Sequence, residues 1–142
     1  MRALLDVNVL VALLDQNHES HAVARQWFTA QAAIGWASCP LTQNGCLRVM
    51  SLPGYPNPRP IAEVAARLRD MTEHPVHEFW PDTVSVLDPG RVLVNRVHGS
   101  RQLSDVYLLA LAVTNGGRLV TLDHRLGWSA VVGATDAHLV RL

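Results

Sequence analysis

Short apolar runs alternate along this chain with longer segments in which apolar residues recur at helical spacing. The apolar runs predict strands at residues 2–6, 35–39, 77–80, 118–123 and 137–141, with an exit from the third at 83–87. The periodic segments predict helices at residues 7–14, 18–33, 40–50, 61–73, 89–96 and 105–114. Because helices alternate with strands, the pattern predicts an α/β fold in which helices cover both faces of a short parallel sheet.

Several residues mark where the predicted helices begin and end. Pro40 stands at the start of one helix, where a proline is well tolerated. Ser104 is expected to cap the helix that starts at Asp105, and the glycines at 116 and 117 end it. Four prolines make residues 52–60 a loop that is too short to link two domains. A chain of 142 residues therefore predicts one domain, residues 1–142.

The charge balance limits the kinds of partner and chemistry. Lys+Arg and Asp+Glu are both 12, so any surface that binds nucleic acid must be a local patch. Every basic residue is an arginine, which excludes Schiff-base catalysis and the phosphate-binding lysine of a P-loop. A hydrophobic content of 49% provides for a well-buried core.

The two cysteines and the N-terminal residues indicate the cellular compartment of the protein. Cys39 and Cys46 have no metal-ligand spacing, so we expect two buried free thiols in a reducing environment. The chain opens directly into a predicted core strand, without a signal-peptide pattern. No apolar run reaches the roughly 18 residues needed to cross a bilayer. These features predict a cytoplasmic protein that makes no contact with a membrane.

Three aspartates occupy positions that suit a metal site. Asp6 and Asp123 each end a predicted strand, and Asp105 begins a predicted helix. Ligands of open α/β sheets collect beyond the carboxyl ends of the strands, so the three side chains can meet at one rim. Grouped carboxylates repel one another unless a cation lies among them, and hard oxygen ligands suit Mg²⁺ or Mn²⁺. Each aspartate also has an ordinary use, in a turn or at a helix N-terminus, and spacing alone leaves both interpretations open.

A family resemblance favours the metal site. Four segments resemble, in order, the motifs of a PIN-domain ribonuclease, specifically the VapC toxins of bacterial toxin–antitoxin pairs. They are residues 6–8, 40–49, 102–112 and 119–123. The resemblance covers essentially the whole chain and implies a PIN-like fold, with an acidic pocket that holds one or two Mg²⁺ or Mn²⁺ ions.

The resemblance also implies roles for individual residues. Asp6, Asp105 and Asp123 match three of the acids of the family's pocket, as catalytic residues and metal ligands. Asn8 and Ser104 match nearby polar positions that support ligands or bound water.

One departure from the family pattern lies in residues 41–49. Related toxins commonly carry a glutamate there, where this chain offers Asn44 or Gly45. The expected pocket then has three negative charges rather than four, although Asn44 can still supply a neutral oxygen.

By the same resemblance, the activity is endonucleolytic hydrolysis of structured RNA (tRNA or rRNA) that leaves a 5′-phosphate and a 3′-hydroxyl. The implied partners are a VapB-type antitoxin, the RNA and a second copy of the chain. Four arginines near the motifs are candidates for phosphate contact, of which Arg101 is the strongest: Arg48, Arg96, Arg101 and Arg125.

Two alternative functions fit parts of the same pattern. The first is a degenerate PIN domain that binds RNA or a protein without cutting. A phosphorylation-switch domain also gathers aspartates at strand ends, but that chemistry generally uses a lysine, which this chain lacks.

Overall fold

The computed structural model describes residues 1–142 and contains one sheet of five strands. They are β1 (Ala3–Leu5), β2 (Trp36–Ser38), β3 (His77–Phe79), β4 (Arg118–Thr121) and β5 (Leu139–Arg141). Every neighbouring pair is parallel, and the order across the sheet is β3-β2-β1-β4-β5. The predicted parallel sheet is therefore confirmed, with β1 at its centre.

Five α-helices pack on the two faces of the sheet. They are α1 (Val7–Leu14), α2 (His21–Gln31), α3 (Pro40–Ser51), α4 (Ile61–Thr72) and α5 (Leu103–Thr114). The side chains of β1 alternate between the faces, as strand geometry requires. Leu4 packs with α5 on one face, whereas Ala3 and Leu5 pack with α1, α3 and α4 on the other. This two-sided burial explains why β1 is a continuous apolar run.

The two cysteines are free and buried, as predicted, and they belong to different cores. Cys39 lies in the core that contains α5, and Cys46 lies in the core that contains α1 and α4. None of the helices is long and apolar enough to span a bilayer.

One predicted helix is wrong, and it lies between β3 and α5. Residues 89–96 form a 3₁₀ turn only at Val94–Arg96, because Asp88 accepts the Gly90 N–H in a turn and Val92 bridges to the chain near Val131. Residues 83–87 lead away from β3 without forming a strand, and the Ser85 hydroxyl accepts the Leu87 N–H and bends the chain there.

Several predicted boundaries also need correction. The helix predicted from residue 18 starts at His21, and it passes into a 3₁₀ turn at Ala32–Ile34. Ser104 does not cap α5, because a 3₁₀ turn at Ser100–Gln102 leads directly into the helix and leaves Ser104 exposed in its first turn. Both strands predicted to end in an acid are shorter: β1 stops one residue before Asp6, and β4 stops two residues before Asp123.

Candidate active site

Asp6 connects the central strand to α1, and it is 4% exposed. Its Oδ1 accepts the N–H of Val7 at 2.7 Å, so the side chain caps the helix that follows. Its Oδ2 accepts the hydroxyl of Thr121 at 2.7 Å. Burial raises the pKa of the Asp6 carboxyl, and the hydrogen bonds from Thr121 and Val7 oppose that rise. Hydrogen bonds to both oxygens thus fix the position of this carboxylate.

Thr121, the last residue of β4, was missed by sequence reasoning. Its buried hydroxyl donates to Asp6 and accepts from the Asn8 side chain at 3.3 Å and from the Asp123 N–H at 3.1 Å. One donor and two acceptor sites are all that a hydroxyl has, so its hydrogen-bonding capacity is full. Asn8 also accepts the N–H of Leu122 at 3.2 Å through Oδ1. A threonine that ends a strand two residues before an acid was the available signal.

Asp105 lies in the first turn of α5, half-buried, and its carboxyl takes part in no hydrogen bond or ion pair within the chain. Burial raises its pKa to about 7, and the charges of Asp6 and Asp123 add to the rise. A carboxylate with no partner of its own, whose pKa is raised by two other carboxylates, is a group that a cation would stabilise.

Asp123 has a different setting. Its Oδ1 accepts the N–H of Arg125 at 2.9 Å, and the Arg125 guanidinium lies 3.5 Å from the same oxygen. The side chain lines a small cleft of about 170 Å³ together with His98, Arg101 and Arg125, and no hydrophobic residue borders that cleft.

The larger cleft, of about 470 Å³, contains both Asp6 and Asp105. It also includes every predicted supporting residue and one of the predicted arginines: Asn8, Asn44, Ser104 and Arg48. Arg96 is the predicted residue that the structure places elsewhere, because its guanidinium donates to the carbonyl of Ser129 at 3.3 Å and it borders neither cleft.

The structure distinguishes the two candidates for the missing glutamate. A Cβ on Gly45 would lie 2.5 Å from a methyl group of Val7, so position 45 has no space for a longer side chain while α3 packs against α1 here. Asn44 is exposed and lines the cleft. The neighbouring Gln43 does not line this cleft and donates to the Ser38 hydroxyl at 2.9 Å. Asn44 is therefore the residue on this helix that can present an oxygen to the acids.

The donor set fits a hard divalent cation, although no three acidic, histidine or cysteine side chains converge on a common point. Asp6 and Asp105 border the same cleft, and Mg²⁺ is usually held by one or two carboxylates with water and phosphate completing its shell. Asp123 is held by Arg125 at the side of that pair.

Comparison with known proteins agrees with this architecture. The sequence profile of the PIN domain matches residues 3–131. Ribonuclease VapC44 of Mycobacterium tuberculosis is 51% identical over 142 residues, which is 100% of both chains. Ribonuclease VapC39 of the same organism is 41% identical over 137 residues, covering 96% of this chain and 99% of that protein. The chain belongs to the VapC family of PIN-domain ribonucleases.

Solved structures support the VapC fold independently of sequence. The structure of VapC20 of M. tuberculosis, described as a sarcin-ricin loop cleaving toxin, matches with a TM-score of 0.63 at 12% identity and covers 89% of this chain and 92% of that one. A chain of VapBC2 from Rickettsia felis, bound to a promoter DNA fragment, matches with a TM-score of 0.54 at 12% identity and covers 87% of this chain and 89% of that one. The predicted PIN-like fold is confirmed.

Proposed function

We propose that this VapC protein is an Mg²⁺-dependent endoribonuclease toxin, with Mn²⁺ as an alternative ion, whose catalytic carboxylates are Asp6, Asp105 and Asp123. The observation that carries the proposal is the shared cleft, where the fixed carboxylate of Asp6 and the unpartnered carboxylate of Asp105 face the same space. Repulsion among the three acids favours a cation there, which accords with the divalent-metal dependence general among PIN-domain VapC nucleases.

Each side chain has a distinct task in this mechanism. Asp6 and Asp105 would hold the ion, which when bound polarises the scissile phosphate and makes water a stronger nucleophile. Thr121 and the Val7 N–H orient Asp6, so the position of its oxygens does not depend on substrate. Asp123 lies beside the pair and orients water or a ligand at its edge. Hydrolysis leaves a 5′-phosphate and a 3′-hydroxyl.

The arginines divide between the two clefts. Arg48 borders the large cleft, whereas Arg101 and Arg125 border the small one next to Asp123. Phosphates on both sides of the scissile bond can therefore meet a guanidinium, which supports a local RNA-binding patch on a chain of zero formal net charge. The proposed substrate is structured RNA, either tRNA or rRNA.

The proposed partners are a VapB-type antitoxin that blocks the acidic cleft and a second copy of the chain, in the cytoplasm. Support comes from the family and from large hydrophobic side chains left on the surface. Leu87 is 84% exposed, Ile61 60% and Ile34 56%. Exposed apolar side chains of this size are compatible with protein interfaces.

The test is cleavage of total bacterial RNA by the purified protein in Mg²⁺ or Mn²⁺, against EDTA and the Asp6→Asn variant. Asp70→Asn is the matched control, because Asp70 is an exposed carboxylate on α4 that borders neither cleft. We expect discrete fragments from the native protein and from Asp70→Asn, and none from Asp6→Asn or in EDTA. Equal cleavage by Asp6→Asn would contradict the proposal. Intact RNA that shifts on a native gel would instead indicate the non-enzymatic binding module.

A further inference from the structure

The large cleft extends past the acids to a part of the protein that the proposed chemistry does not use. Tyr55, from the proline-rich loop, and His18, from the segment between α1 and α2, line that extension. The structure assigns these two side chains to one unstacked RNA base adjacent to the scissile phosphate, with Tyr55 as the ring on which the base packs. The assignment rests on the proposed function and adds a base-binding subsite to it.

The phenol of Tyr55 is fixed by a buried acid. Its hydroxyl donates to Asp15 Oδ2 at 2.5 Å, and Asp15 is 7% exposed at the end of α1. The hydrogen bond from Tyr55 lowers the pKa of Asp15, so this carboxylate is ionised and accepts the bond at neutral pH. The N–H of Asn17 donates to the other Asp15 oxygen at 3.0 Å. The ring is therefore anchored at its polar end.

The backbone that carries Tyr55 is also held. The N–H of Tyr55 donates to the carbonyl of Leu52 at 2.9 Å, and the N–H of Arg59 donates to the carbonyl of Met50 at 3.0 Å. These bonds tie both sides of the proline-rich loop to the end of α3. Because loop and ring are ordered in the free protein, little conformational entropy is lost when a base packs on the ring.

His18 adds directional hydrogen bonding. The N–H of Ser20 donates to His18 Nδ1 at 3.0 Å, so Nδ1 acts as an acceptor and Nε2 is the ring nitrogen that carries a hydrogen. That nitrogen is left to donate to an acceptor on a ligand. Val11 and Val49 supply apolar surface in the same cleft. An aromatic ring, a hydrogen-bond donor and apolar walls are the features by which proteins hold unstacked RNA bases.

The volume of the large cleft and the different lining of the two clefts agree with this assignment. The large cleft has a volume of about 470 Å³, which falls within the range of small-molecule sites. It therefore has room for a base in addition to a phosphate and an ion. The small cleft around Asp123 has no hydrophobic residue and suits phosphate alone. We therefore place the base on the Tyr55 side and the opposite flank of the RNA on the Asp123 side.

A purely structural role for Tyr55 makes a different prediction. If the phenol serves only to attach the loop to Asp15, then Tyr55→Phe removes that function as completely as Tyr55→Leu does. If a base packs on the ring, Tyr55→Phe retains the function and only Tyr55→Leu loses it. The ring also packs against the core that contains α1, α3 and α4, and a loss through that packing alone would fall equally on RNA with and without bases.

The experiment measures binding, so it does not depend on catalysis. In an Asp105→Asn background, fluorescence anisotropy follows labelled RNA hexamers of adenylate, cytidylate and uridylate, and a ribose-phosphate hexamer without bases. We expect Tyr55→Leu to weaken binding of at least one base-containing hexamer about tenfold and to leave the abasic hexamer unchanged. Tyr55→Phe should stay within about twofold of the parent, since the stacking face remains. Phe79→Leu is the matched control, because it removes an exposed ring from β3, outside both clefts.

Several outcomes would overturn the assignment. They are an equal loss on the abasic hexamer, a loss with Tyr55→Phe as large as with Tyr55→Leu, and no base-dependent affinity in the parent. Thermal melting monitors folding of each variant. If Tyr55→Leu is unfolded, His18→Ala decides by the same comparison of base-containing and abasic hexamers. Absence of RNA cleavage by the native protein would contradict the proposed function and leave this binding result to be judged separately.

Discussion

The two carboxylates of the large cleft are held in opposite ways. Asp6 is almost fully buried, and each of its oxygens accepts one strong hydrogen bond from the fold. Asp105 is half-buried, accepts none, and has its pKa raised to about 7. The cost of burying a charge is offset within the chain at Asp6 and left uncompensated at Asp105. One acid is thus positioned by the protein, and the other has its charge available for a ligand.

Removing a hydrogen bond that fixes Asp6 should give the largest change in stability. Thr121→Val removes the hydroxyl that serves Asp6, Asn8 and the Asp123 N–H, and leaves the buried Asp6 Oδ2 without its partner. We expect a loss of about 3 kcal/mol in the free energy of unfolding, measured by urea denaturation, and at least a tenfold loss of cleavage. Thr121→Ser keeps the hydroxyl and is the control. A Thr121→Val protein as stable as the native one would show that this network contributes little.

Crowding α1, the helix that Asp6 caps, should have the next largest effect. Gly45→Ala places a methyl group 2.5 Å from the side chain of Val7, and we expect a loss of about 2 kcal/mol in the free energy of unfolding. Val7→Ala vacates that space, so the double variant should recover part of the loss. Calorimetry of the two single variants and the double variant measures the coupling, and strictly additive losses would contradict the contact.

Removing the charge of Asp105 should stabilise the metal-free protein. The pKa of Asp105 is about 7 when folded, against an ordinary value of 3.8, so the unfolded chain loses this proton first as pH rises. Its contribution to stability is therefore complete below about pH 4 and is lost between there and about pH 7. We expect Asp105→Asn in EDTA to gain about 1 kcal/mol at pH 8, a value reduced for solvent screening, and much less at pH 4.5.

The comparison of the native protein with Asp105→Asn can also be made by the effect of Mg²⁺ on the melting temperature. Added Mg²⁺ should raise the melting temperature of the native protein at pH 8 and have a smaller effect on Asp105→Asn. A variant that is destabilised in EDTA at pH 8 would show that the carboxylate is satisfied in the metal-free protein.

The smallest expected effect concerns the small cleft beside Asp123. Arg101 borders this cleft and forms no ion pair within the protein, so its guanidinium is available to a phosphate. Arg101→Ala should reduce the slope of log affinity against log salt by about one, with a modest loss of RNA affinity. Arg96→Ala is the matched control, because that guanidinium is directed to the carbonyl of Ser129. Salt slopes that are identical in Arg101→Ala and the native protein would exclude the phosphate contact.

Sequence reasoning succeeded where the fold repeats a local rule and failed where it depends on distant contacts. The strands next to Asp6 and Asp123 are apolar runs buried on both faces, and such runs are visible without a structure. Thr121 was missed because a threonine at the end of a strand is common for its β-propensity alone. Tyr55 reaches the cleft through a contact with Asp15, 40 positions earlier, and no local spacing encodes that contact.

The wrong helix at residues 89–96 has a related origin. The stretch between β3 and α5 was assigned a helix because its apolar residues are spaced suitably, but turns at Ser85 and Asp88 bend the chain instead. Side-chain hydrogen bonds to the backbone compete with helix formation at such residues. Arg96 was grouped with the site because it lies near the motif at residues 102–112, but its guanidinium is directed to the carbonyl of Ser129.

Because the two cysteines lie in separate cores, the reactivity of each thiol can report local unfolding on its own face of the sheet. The sheet lies between Cys39 and Cys46, and burial raises the pKa of both thiols, that of Cys46 to about 12. Neither thiol can react with an alkylating reagent until its own face of the sheet exposes it. The alkylation rate of each cysteine, resolved by mass spectrometry, would therefore show whether the helical layers on the two faces detach together or one before the other.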